Sequence, residues 1–253
     1  MNYWEAKKEN SKIAQRRTAK FEKNPPKEML HSLERTEVWG INAQVPPQVS
    51  PELNNEASFQ VVQMSTTEAI YEFSGDSSCI ALNFADYKRP GGCFMEGSCA
   101  QEESLCHESW LYNILLKQTG YYEWNKQHLN RGLYLSRALY TPDVHFEHNG
   151  KHGISDVLTC AAPNRSIIVK GYGNFTEEEN SAFIEKRMHF IRDIVATKDK
   201  DTFILGAWGC GVFKQNPKYV AELIRDTQWL GVKNVIAAII DKPTYNVFKE
   251  ILT

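Results

Sequence analysis

The chain has 253 residues, of which 42% are hydrophobic and 24% are charged, and its formal net charge is −2. This length and composition predict a globular protein with a sizeable core. The near-neutral charge excludes a general attraction to nucleic acid or to acidic membranes, although a local basic cleft would still suit phosphate groups. No apolar run approaches the roughly 20 residues that span a bilayer. The charged N-terminus lacks the apolar core of a signal peptide, so we expect a cytoplasmic protein.

Six cysteines are spread along the chain without a Cys-x-x-Cys pair. They are Cys79, Cys93, Cys99, Cys106, Cys160 and Cys210. An even number is compatible with disulfides, but a chain of this size without an export signal is typical of proteins that keep small buried thiols. We therefore interpret the cysteines as structural thiols rather than as zinc ligands or disulfide partners.

The first part of the chain is predicted to be helical. Residues 3–38 carry spaced apolar side chains among many charges, with a break at Pro25-Pro26. Residues 42–56 are rich in Pro, Asn and Gln and are predicted to form a loop. We interpret residues 1–57 as a helical extension and loop that pack on the following domain.

From residue 58 onward, apolar runs of strand length alternate with helical stretches. Strands are predicted at 59–64, 79–84, 144–148, 156–162, 202–207 and 235–240. Helices are predicted at 66–73, 102–118, 121–130, 176–198 and 217–230, and from Pro243 to the end. The helix at 176–198 is the clearest, because Thr176 and Glu179 have the spacing of a capping box. This alternation favours a mixed, mostly parallel sheet with helices on both faces, a three-layer α/β/α domain over residues 58–253.

Three of the predicted strands end in loops that contain glycine. These loops include Gly91-Gly92, Gly171-Tyr172-Gly173 and Gly209-Cys210-Gly211. If the strands are parallel, the loops meet at one edge of the sheet, where ligands bind in open α/β sheets. Backbone N–H groups in glycine loops approach an anion closely, and a following helix N-terminus adds a positive dipole. Any one loop is better interpreted as an ordinary turn, but three together favour a diphosphate site.

The tripeptide Gln101-Glu102-Glu103 begins the helix that follows the first glycine loop. Acidic residues in a first helical turn ordinarily do no more than complement the helix dipole. Here a glycine bend and a short spacer place the carboxylates against any ligand that the bend holds. Glycoside cleavage needs such an acid to protonate the departing oxygen. The pair is therefore a candidate for acid catalysis, with the dipole role as its alternative.

Three histidines, His145, His148 and His152, have spacings that would suit zinc on a helix. This stretch instead runs from a predicted strand into a turn that contains Gly150. We interpret it as a solvent-exposed hairpin and expect no metal site there.

Six segments resemble, in the same order, the signature of the bacterial-type poly(ADP-ribose) glycohydrolases. They are Leu82-Asn83-Phe84-Ala85, Pro90-Gly91-Gly92-Cys93, Gln101-Glu102-Glu103-Ser104-Leu105, Tyr140-Thr141-Pro142-Asp143-Val144, residues 157–164 and residues 206–213. The resemblance implies a macrodomain-like fold and hydrolysis of the ribose–ribose bond of poly(ADP-ribose), with no metal and no other cofactor. The implied partners are ADP-ribose, poly(ADP-ribose) and ADP-ribosylated protein.

The resemblance also implies a role for each matching residue. Glu103 is expected to be the general acid, and Glu102 to orient the ribose hydroxyls. The substrate-binding residues are expected to be Asn83, Gly91, Gly92, Cys93 and Gln101 near the reacting ribose, and Gly209, Cys210, Gly211, Val212 and Phe213 near the diphosphate and adenosine. In the second group, backbone N–H groups would bind the diphosphate and the Phe213 ring would stack on the adenosine side. The alternative for Phe213 is a place in the core.

One position departs from the family pattern, because Cys93 stands where the family has its third glycine. A side chain there points either into the ribose pocket or away from it, and it disfavours a positive φ. Two alternatives to the glycohydrolase stay open. One is a macrodomain that binds ADP-ribose with little turnover because Cys93 disturbs the loop, and the other is a hydrolase of mono-ADP-ribose on protein or nucleic acid. The intact acid pair favours an enzyme.

Overall fold

The computed structural model describes residues 2–40, 57–75, 78–172 and 174–253, which form one seven-stranded sheet with helices on both faces. The strands are β1 (Glu37–Gly40), β2 (Ser58–Val62), β3 (Cys79–Phe84), β4 (Arg137–His148), β5 (Lys151–Cys160), β6 (Thr202–Leu205) and β7 (Asn234–Ala238). The helices are α1 (Tyr3–Lys23), α2 (Lys27–Glu34), α3 (Thr66–Phe73), α4 (Gln101–Glu108), α5 (Leu111–Lys117), α6 (Thr119–Gln127), α7 (Ser166–Val169), α8 (Glu177–Ala196), α9 (Pro217–Asp226) and α10 (Lys242–Leu252). The predicted three-layer α/β/α architecture is confirmed.

The strands follow one another across the sheet in the order β1-β4-β5-β3-β6-β7-β2. From β5 to β2 all neighbours are parallel, whereas β1, β4 and β5 pair antiparallel. Because β3, β5 and β6 are parallel, their carboxyl ends at Phe84, Cys160 and Leu205 lie at the same edge. The predicted meeting of three loops at one edge of the sheet is therefore confirmed.

The central strand β3 is covered on both faces. Ile80 and Leu82 belong to a core that α8, α9 and α10 complete, whereas Cys79 and Ala81 belong to a second core that includes residues of α1 to α5. Successive side chains of a strand point to opposite faces, so a strand buried on both faces has a continuous apolar sequence. The site loop that follows β3 therefore begins from a rigid, fully enclosed strand.

The N-terminal segment differs from its prediction at one end. The helical break at Pro25-Pro26 is confirmed between α1 and α2. The prediction that the helix reaches residue 38 is wrong beyond Glu34, where α2 ends. Val38 and Trp39 instead lie in β1, which pairs with β4. Trp39 is buried in the core there, and this packing outweighs the local preference for helix. The loop predicted at 42–56 lies outside the described residues, and the domain boundary at residue 57 stays a prediction.

The single helix predicted at 102–118 is two helices, α4 and α5. Between them, Ser109 has an extended backbone and forms a bridge with Phe146 of β4. The Ser109 hydroxyl donates to the Leu105 carbonyl and accepts from the Leu111 N–H, so the same side chain ends one helix and begins the next. A partner from β4 thus produces a break that the local apolar pattern does not show.

Two local predictions are confirmed. Thr176 caps α8, and the Thr176 and Glu179 side chains each accept from the other residue's backbone N–H. The β4–β5 hairpin turns at Asn149-Gly150 and leaves His148 and His152 exposed as predicted, whereas His145 is half-buried against Trp110. Within the described ranges, no group of three or more His, Cys, Asp or Glu side chains is arranged to hold a metal ion. In the same part of the chain, no helix combines the length and apolarity needed to cross a bilayer.

The cysteines fall into two groups. The prediction of buried thiols is confirmed for Cys79, Cys106 and Cys160, whereas Cys93 and Cys210 are half-buried and Cys99 is exposed. All six are free. Burial raises the pKa of the Cys79 thiol to about 11 and that of Cys160 to about 12, which keeps both protonated near neutral pH. These thiols therefore act as small apolar side chains in the core.

Candidate active site

A cleft of about 270 Å³ opens at the edge of the sheet where β3, β5 and β6 end. The predicted site residues in its wall are Gly92, Cys93, Gln101, Glu102, Glu103, Gly209, Gly211, Val212 and Phe213. A second cleft of about 460 Å³ adjoins the first, with Gly211 and Gln101 in both walls and Cys210 in its own. The fold thus brings residues from two distant segments, 92–103 and 209–213, to one place.

The turn at Gly91-Gly92 lies directly against the acid pair. Both glycines have left-handed backbones, with φ of +65° and +57°, a conformation that strongly favours glycine. A Cβ added at Gly92 would lie 2.6 Å from Glu103 Oε1 and 3.1 Å from Glu102 Oε2. The absence of a side chain at Gly92 therefore allows the two carboxylates to approach the turn.

Glu103 is a buried carboxylate in the wall of the first cleft, with 7% of its surface exposed. Its Oε1 atom accepts a hydrogen bond of 2.9 Å from the backbone N–H of Cys93. Its Oε2 atom receives no hydrogen bond from the described residues. One oxygen of Glu103 is therefore fixed by the glycine loop, and the other is free to interact with a ligand.

Glu102 is also buried, but both of its oxygens are engaged. Oε1 accepts from Asn83 Nδ2 at 3.3 Å, and Oε2 accepts from the Asp86 N–H at 2.7 Å. Burial raises the pKa of Glu102 well above its usual range, and the nearby carboxylates of Asp86 and Glu103 add to the rise, while the two N–H donors oppose it. The two hydrogen bonds hold the Glu102 carboxyl group in one orientation.

Asn83 lies at the end of β3 and is fully buried. Its amide nitrogen donates to Glu102 and to Thr159 Oγ1, at 3.3 and 3.2 Å. Its amide oxygen is a buried acceptor that has no hydrogen-bond partner among the described residues. Asn83 therefore links the end of β3 and Thr159 of β5 to the Glu102 carboxyl group.

Gln101 was predicted to bind substrate, but its side-chain amide forms its hydrogen bonds with other protein atoms. Its side-chain oxygen accepts from the Phe84 N–H at 2.8 Å, and its nitrogen donates to the Leu82 carbonyl at 2.8 Å and to Thr66 Oγ1 at 3.1 Å. The amide thus fills the hydrogen-bonding positions at the end of β3. Gln101 lines both clefts, but its polar atoms anchor the start of α4 to the sheet.

The loop at 206–213 forms the opposite wall. Gly209 has a φ of +78°, and a Cβ there would lie 2.8 Å from both Ala162 Cβ and Gln215 Cγ. The Cys210 N–H already donates to the Ala207 carbonyl at 3.0 Å. The N–H groups of Gly209 and Gly211 donate no hydrogen bond within the described residues. Of the three N–H groups predicted to bind a diphosphate, these two are free to do so.

Phe213 lines the first cleft, which holds the carboxylates, and is half-buried. Its ring packs on Tyr134, with 6.1 Å between centroids, and Tyr134 in turn stacks on Tyr87 at 4.2 Å. Tyr134 has a φ of +58°, which is uncommon for a residue other than glycine. No sequence pattern indicated Tyr134, because it follows α6 and meets Phe213 only through the fold. The stacking of Phe213 on an adenosine stays a prediction.

Cys93 points its side chain toward a basic neighbour. Cys93 Sγ accepts a hydrogen bond of 3.0 Å from Arg89 Nη2, and both residues line the first cleft. The backbone of Cys93 does not have a positive φ. A cysteine is therefore accommodated at this position without backbone strain, and its N–H still reaches Glu103.

Six residues of the cleft wall were not predicted as site residues: Phe84, Asp86, Arg89, Ala100, Ala162 and Trp208. Asp86 Oδ1 accepts from the N–H groups of Lys88 and Arg89, which is the pattern of an Asx turn. An Asp shortly before Pro90-Gly91 is a recognisable signal for such a turn. The glycine loop that follows β5 contributes only Ala162 to the wall: Gly171 is exposed and does not line the cleft, and residue 173 lies outside the described residues.

Comparison with known proteins agrees with this fold. The family model for the catalytic domain of microbial-type PARG, poly(ADP-ribose) glycohydrolase, matches residues 5–148. A poly(ADP-ribose) glycohydrolase from Thermomonospora curvata is 23% identical, covers 96% of this chain and 98% of its own, and has a TM-score of 0.81. One from Deinococcus radiodurans in complex with ADP-ribose is 26% identical, with coverages of 90% and 97% and a TM-score of 0.75. A search of curated proteins gave no match.

The fold and the buried acid pair define an α/β glycohydrolase. Because the family model covers more than half of the chain, the chain belongs to the microbial-type poly(ADP-ribose) glycohydrolase family. The prediction of an enzyme with a macrodomain-like fold is confirmed.

Proposed function

We propose that the chain cleaves the ribose–ribose O-glycosidic bond of poly(ADP-ribose) and releases ADP-ribose, with Glu103 as the general acid. The observation that carries this proposal is the geometry of Glu103. It is buried in the cleft wall, its Oε1 is fixed by the Cys93 N–H, and its Oε2 is unengaged by the described residues. The relative from Deinococcus radiodurans, whose structure contains ADP-ribose, supports this choice of ligand.

The hydrogen bonds favour Glu103 over Glu102 as the acid. A raised pKa would by itself favour Glu102, since burial stabilises its protonated form. However, both oxygens of Glu102 accept from N–H groups, an arrangement that orients a carboxylate rather than a proton donor. Glu103 has only one oxygen fixed in this way. We therefore assign proton donation to Glu103 Oε2 and ribose orientation to Glu102.

The two adjoining clefts provide room for an extended nucleotide. We place the reacting ribose in the first cleft, against the Glu102 and Glu103 carboxyl groups in its wall, and Asn83 acts on it through its hydrogen bond to Glu102. The diphosphate lies against Gly211, which lines both clefts, and Gly209, which lines the first, and the N–H groups of both glycines donate no hydrogen bond within the described residues. Free N–H groups in a glycine loop and at a helix N-terminus favour an anion. The adenosine then extends from the diphosphate along the clefts.

In the chemical step, Glu103 gives its proton to the departing ribose oxygen as the glycosidic C–O bond breaks. Positive charge develops on the reacting sugar, as in other glycoside hydrolyses. Water then adds to the anomeric carbon and returns a proton to the Glu103 carboxylate, which restores the acid. Such acid assistance is typically worth about 10²–10⁴ in rate.

The environment of Cys93 argues against the alternative of a binding module without turnover. That alternative required Cys93 to disturb the catalytic loop, but the φ of Cys93 is not positive and its N–H contacts Glu103.

We propose that the enzyme acts on polymer that is attached to ADP-ribosylated protein. Parallel incubation with labelled poly(ADP-ribose) and with mono-ADP-ribosylated protein tests this choice. Release of label from the mono-modified protein alone would overturn it.

Replacement of each acid tests the mechanism. Glu103→Gln should lower kcat by about 10²–10⁴, because the amide cannot deliver a proton. Its Kd for ADP-ribose should change by only a few fold. Glu102→Gln should weaken binding as well as rate, because one oxygen that accepts an N–H becomes a donor.

Turnover measured across pH separates the two roles. In the wild type, kcat should fall at high pH, because a general acid must carry a proton to donate it. This high-pH decline should disappear in Glu103→Gln and persist in Glu102→Gln. Near-full turnover by Glu103→Gln would place the acid elsewhere.

A further inference from the structure

Helix α1 packs against the loop from Gly91 to Cys99, here called the catalytic loop. Ser11 Oγ donates to the Met95 carbonyl at 2.7 Å, and Asn10 Nδ2 donates to Cys99 Sγ at 3.0 Å. About two turns further along the same helix face, Thr18 Oγ1 lies 3.7 Å from Met95 Sδ. These contacts join residues that are more than 75 positions apart in the sequence.

Gly97 is the point of closest approach between the loop and the helix. It has a φ of +81°, and a Cβ there would lie 1.9 Å from the Lys7 carbonyl oxygen and 2.7 Å from the Ser11 nitrogen. Both of these atoms belong to the helix backbone, which cannot move aside as a flexible side chain would. The present packing of the loop on α1 therefore requires glycine at position 97.

The same loop fixes Glu103 at its other side. The Cys93 N–H donates to Glu103 Oε1 at 2.9 Å. Within the loop, the Glu96 and Ser98 N–H groups donate to the Cys93 carbonyl at 3.1 and 3.2 Å, and the Gly97 N–H donates to the Phe94 carbonyl at 2.9 Å. A displacement of the loop at Gly97 is thus transmitted through a hydrogen-bonded turn to Cys93.

We propose that α1 is a brace for the catalytic loop, with Ser11 and Gly97 as positioning residues that set the place of Glu103. The proposal rests on the role of Glu103 proposed above. Neither residue lines the two clefts, and both act through the Cys93 N–H. An acid misplaced by about 1 Å costs on the order of 10²-fold in rate, so a small shift of the loop is enough to affect turnover.

Gly97→Ala, compared with Gly150→Ala, tests the brace. Gly150 has a similar φ of +77° but has nothing within 4 Å of an added Cβ, and it lies at the tip of the β4–β5 hairpin. Both variants place an alanine at a similar positive φ, and only Gly97→Ala brings a Cβ against the α1 backbone. We expect Gly97→Ala to lower kcat by about 10- to 100-fold while the Kd for ADP-ribose stays within about threefold. Turnover within about twofold of Gly150→Ala would overturn the brace.

Ser11 provides a milder test that preserves the fold. Ser11→Ala removes the hydrogen bond to Met95 and should lower kcat several-fold, whereas Ser11→Thr keeps the hydroxyl and should restore it. A purely structural role would lower the melting temperature of Ser11→Ala without changing kcat at a temperature where the variant is folded. Equal kcat values for folded Ser11→Ala and Ser11→Thr would overturn the proposal.

Amide hydrogen exchange tests the brace independently of turnover. Exchange of peptides that cover residues 92–99 should be faster in Gly97→Ala than in the wild type and unchanged in Gly150→Ala, because opening of the loop exposes its hydrogen-bonded N–H groups. Unchanged exchange at 92–99 in Gly97→Ala would refute the brace. If the wild type binds ADP-ribose but does not hydrolyse the polymer, the proposed function fails, and hydrogen exchange still decides whether α1 holds the loop.

Discussion

At the scale of single residues, Gly92 and Cys93 are neighbours with opposite relations to Glu103. The Cα of Gly92 faces the carboxylates, so a side chain there has no space. Cys93 contacts Glu103 through its backbone N–H, while its side chain is directed to Arg89. Substitution of Gly92 should therefore disturb the acid pair directly, whereas substitution of Cys93 should leave the acid pair in place.

Gly92→Ala should lower kcat by about 100-fold or more. The added Cβ would lie only 2.6 Å from Glu103 Oε1 and would therefore push the carboxyl group out of its position. A steady-state assay on poly(ADP-ribose) measures the change. Gly171→Ala is the matched control, since its φ of +73° is similar and an added Cβ meets nothing within 4 Å. Equal turnover by the two variants would show that the turn does not set the position of the acids.

Cys93→Gly should change kcat by less than about tenfold, because the N–H that contacts Glu103 belongs to the backbone and is retained. The added backbone freedom of glycine should lower the free energy of unfolding by about 0.5–1 kcal/mol. Denaturant unfolding and polymer hydrolysis, measured on the same preparation, check both expectations. A large loss of turnover at unchanged stability would assign a direct role to the Cys93 thiol or to its contact with Arg89.

At the scale of elements, the position of the acids depends on how α4 is joined to β3. Gln101 makes this connection, because its side-chain amide pairs with Phe84 N–H and with the Leu82 carbonyl at the end of the strand. The two acids that follow Gln101 are thereby held at the carboxyl end of the central strand. The helix itself is short and has no side-chain N-cap, so this tertiary connection defines its start.

Gln101→Leu should lower the free energy of unfolding by about 1–3 kcal/mol, because it leaves Phe84 N–H and the Leu82 carbonyl without partners. Turnover should fall as well, since α4 loses its anchor. Urea unfolding compared with Gln60→Leu, an exposed position on β2, separates this effect from a general effect of leucine. Wild-type stability in Gln101→Leu would mean that packing alone holds α4 in place.

At the scale of the whole molecule, a ligand that binds only the folded chain stabilises it by mass action. ADP-ribose at about 100 times its Kd should add about 2.7 kcal/mol to the free energy of unfolding. For a domain of this size, this corresponds to a rise in melting temperature of roughly 5–10 °C. Thermal unfolding with and without millimolar ADP-ribose measures the rise, and Glu102→Gln should reduce it. The absence of any shift in the wild type would contradict the assignment of the clefts to ADP-ribose.

The sequence alone was sufficient to predict the alternation of strands and helices, the glycine loops and the motif around Gln101-Glu102-Glu103. These features are local, because a strand or a capping box depends on residues within a few positions of each other. Even the meeting of three loops at one edge follows from the alternation, since crossover helices imply parallel strands. The family resemblance then identified the acid pair and the loop at 209–213, and the cleft contains both.

Only the tertiary structure decided which distant residues the ends of the elements and the site side chains contact. The end of α4 at Ser109 depends on Phe146, and the strand at Val38-Trp39 depends on β4. The environments of Asn83 and Glu102 arise from burial at the sheet edge, which leaves one amide oxygen unpaired and raises the pKa of the carboxyl group. These properties come from desolvation and from contacts between residues distant in the chain, which no local pattern encodes.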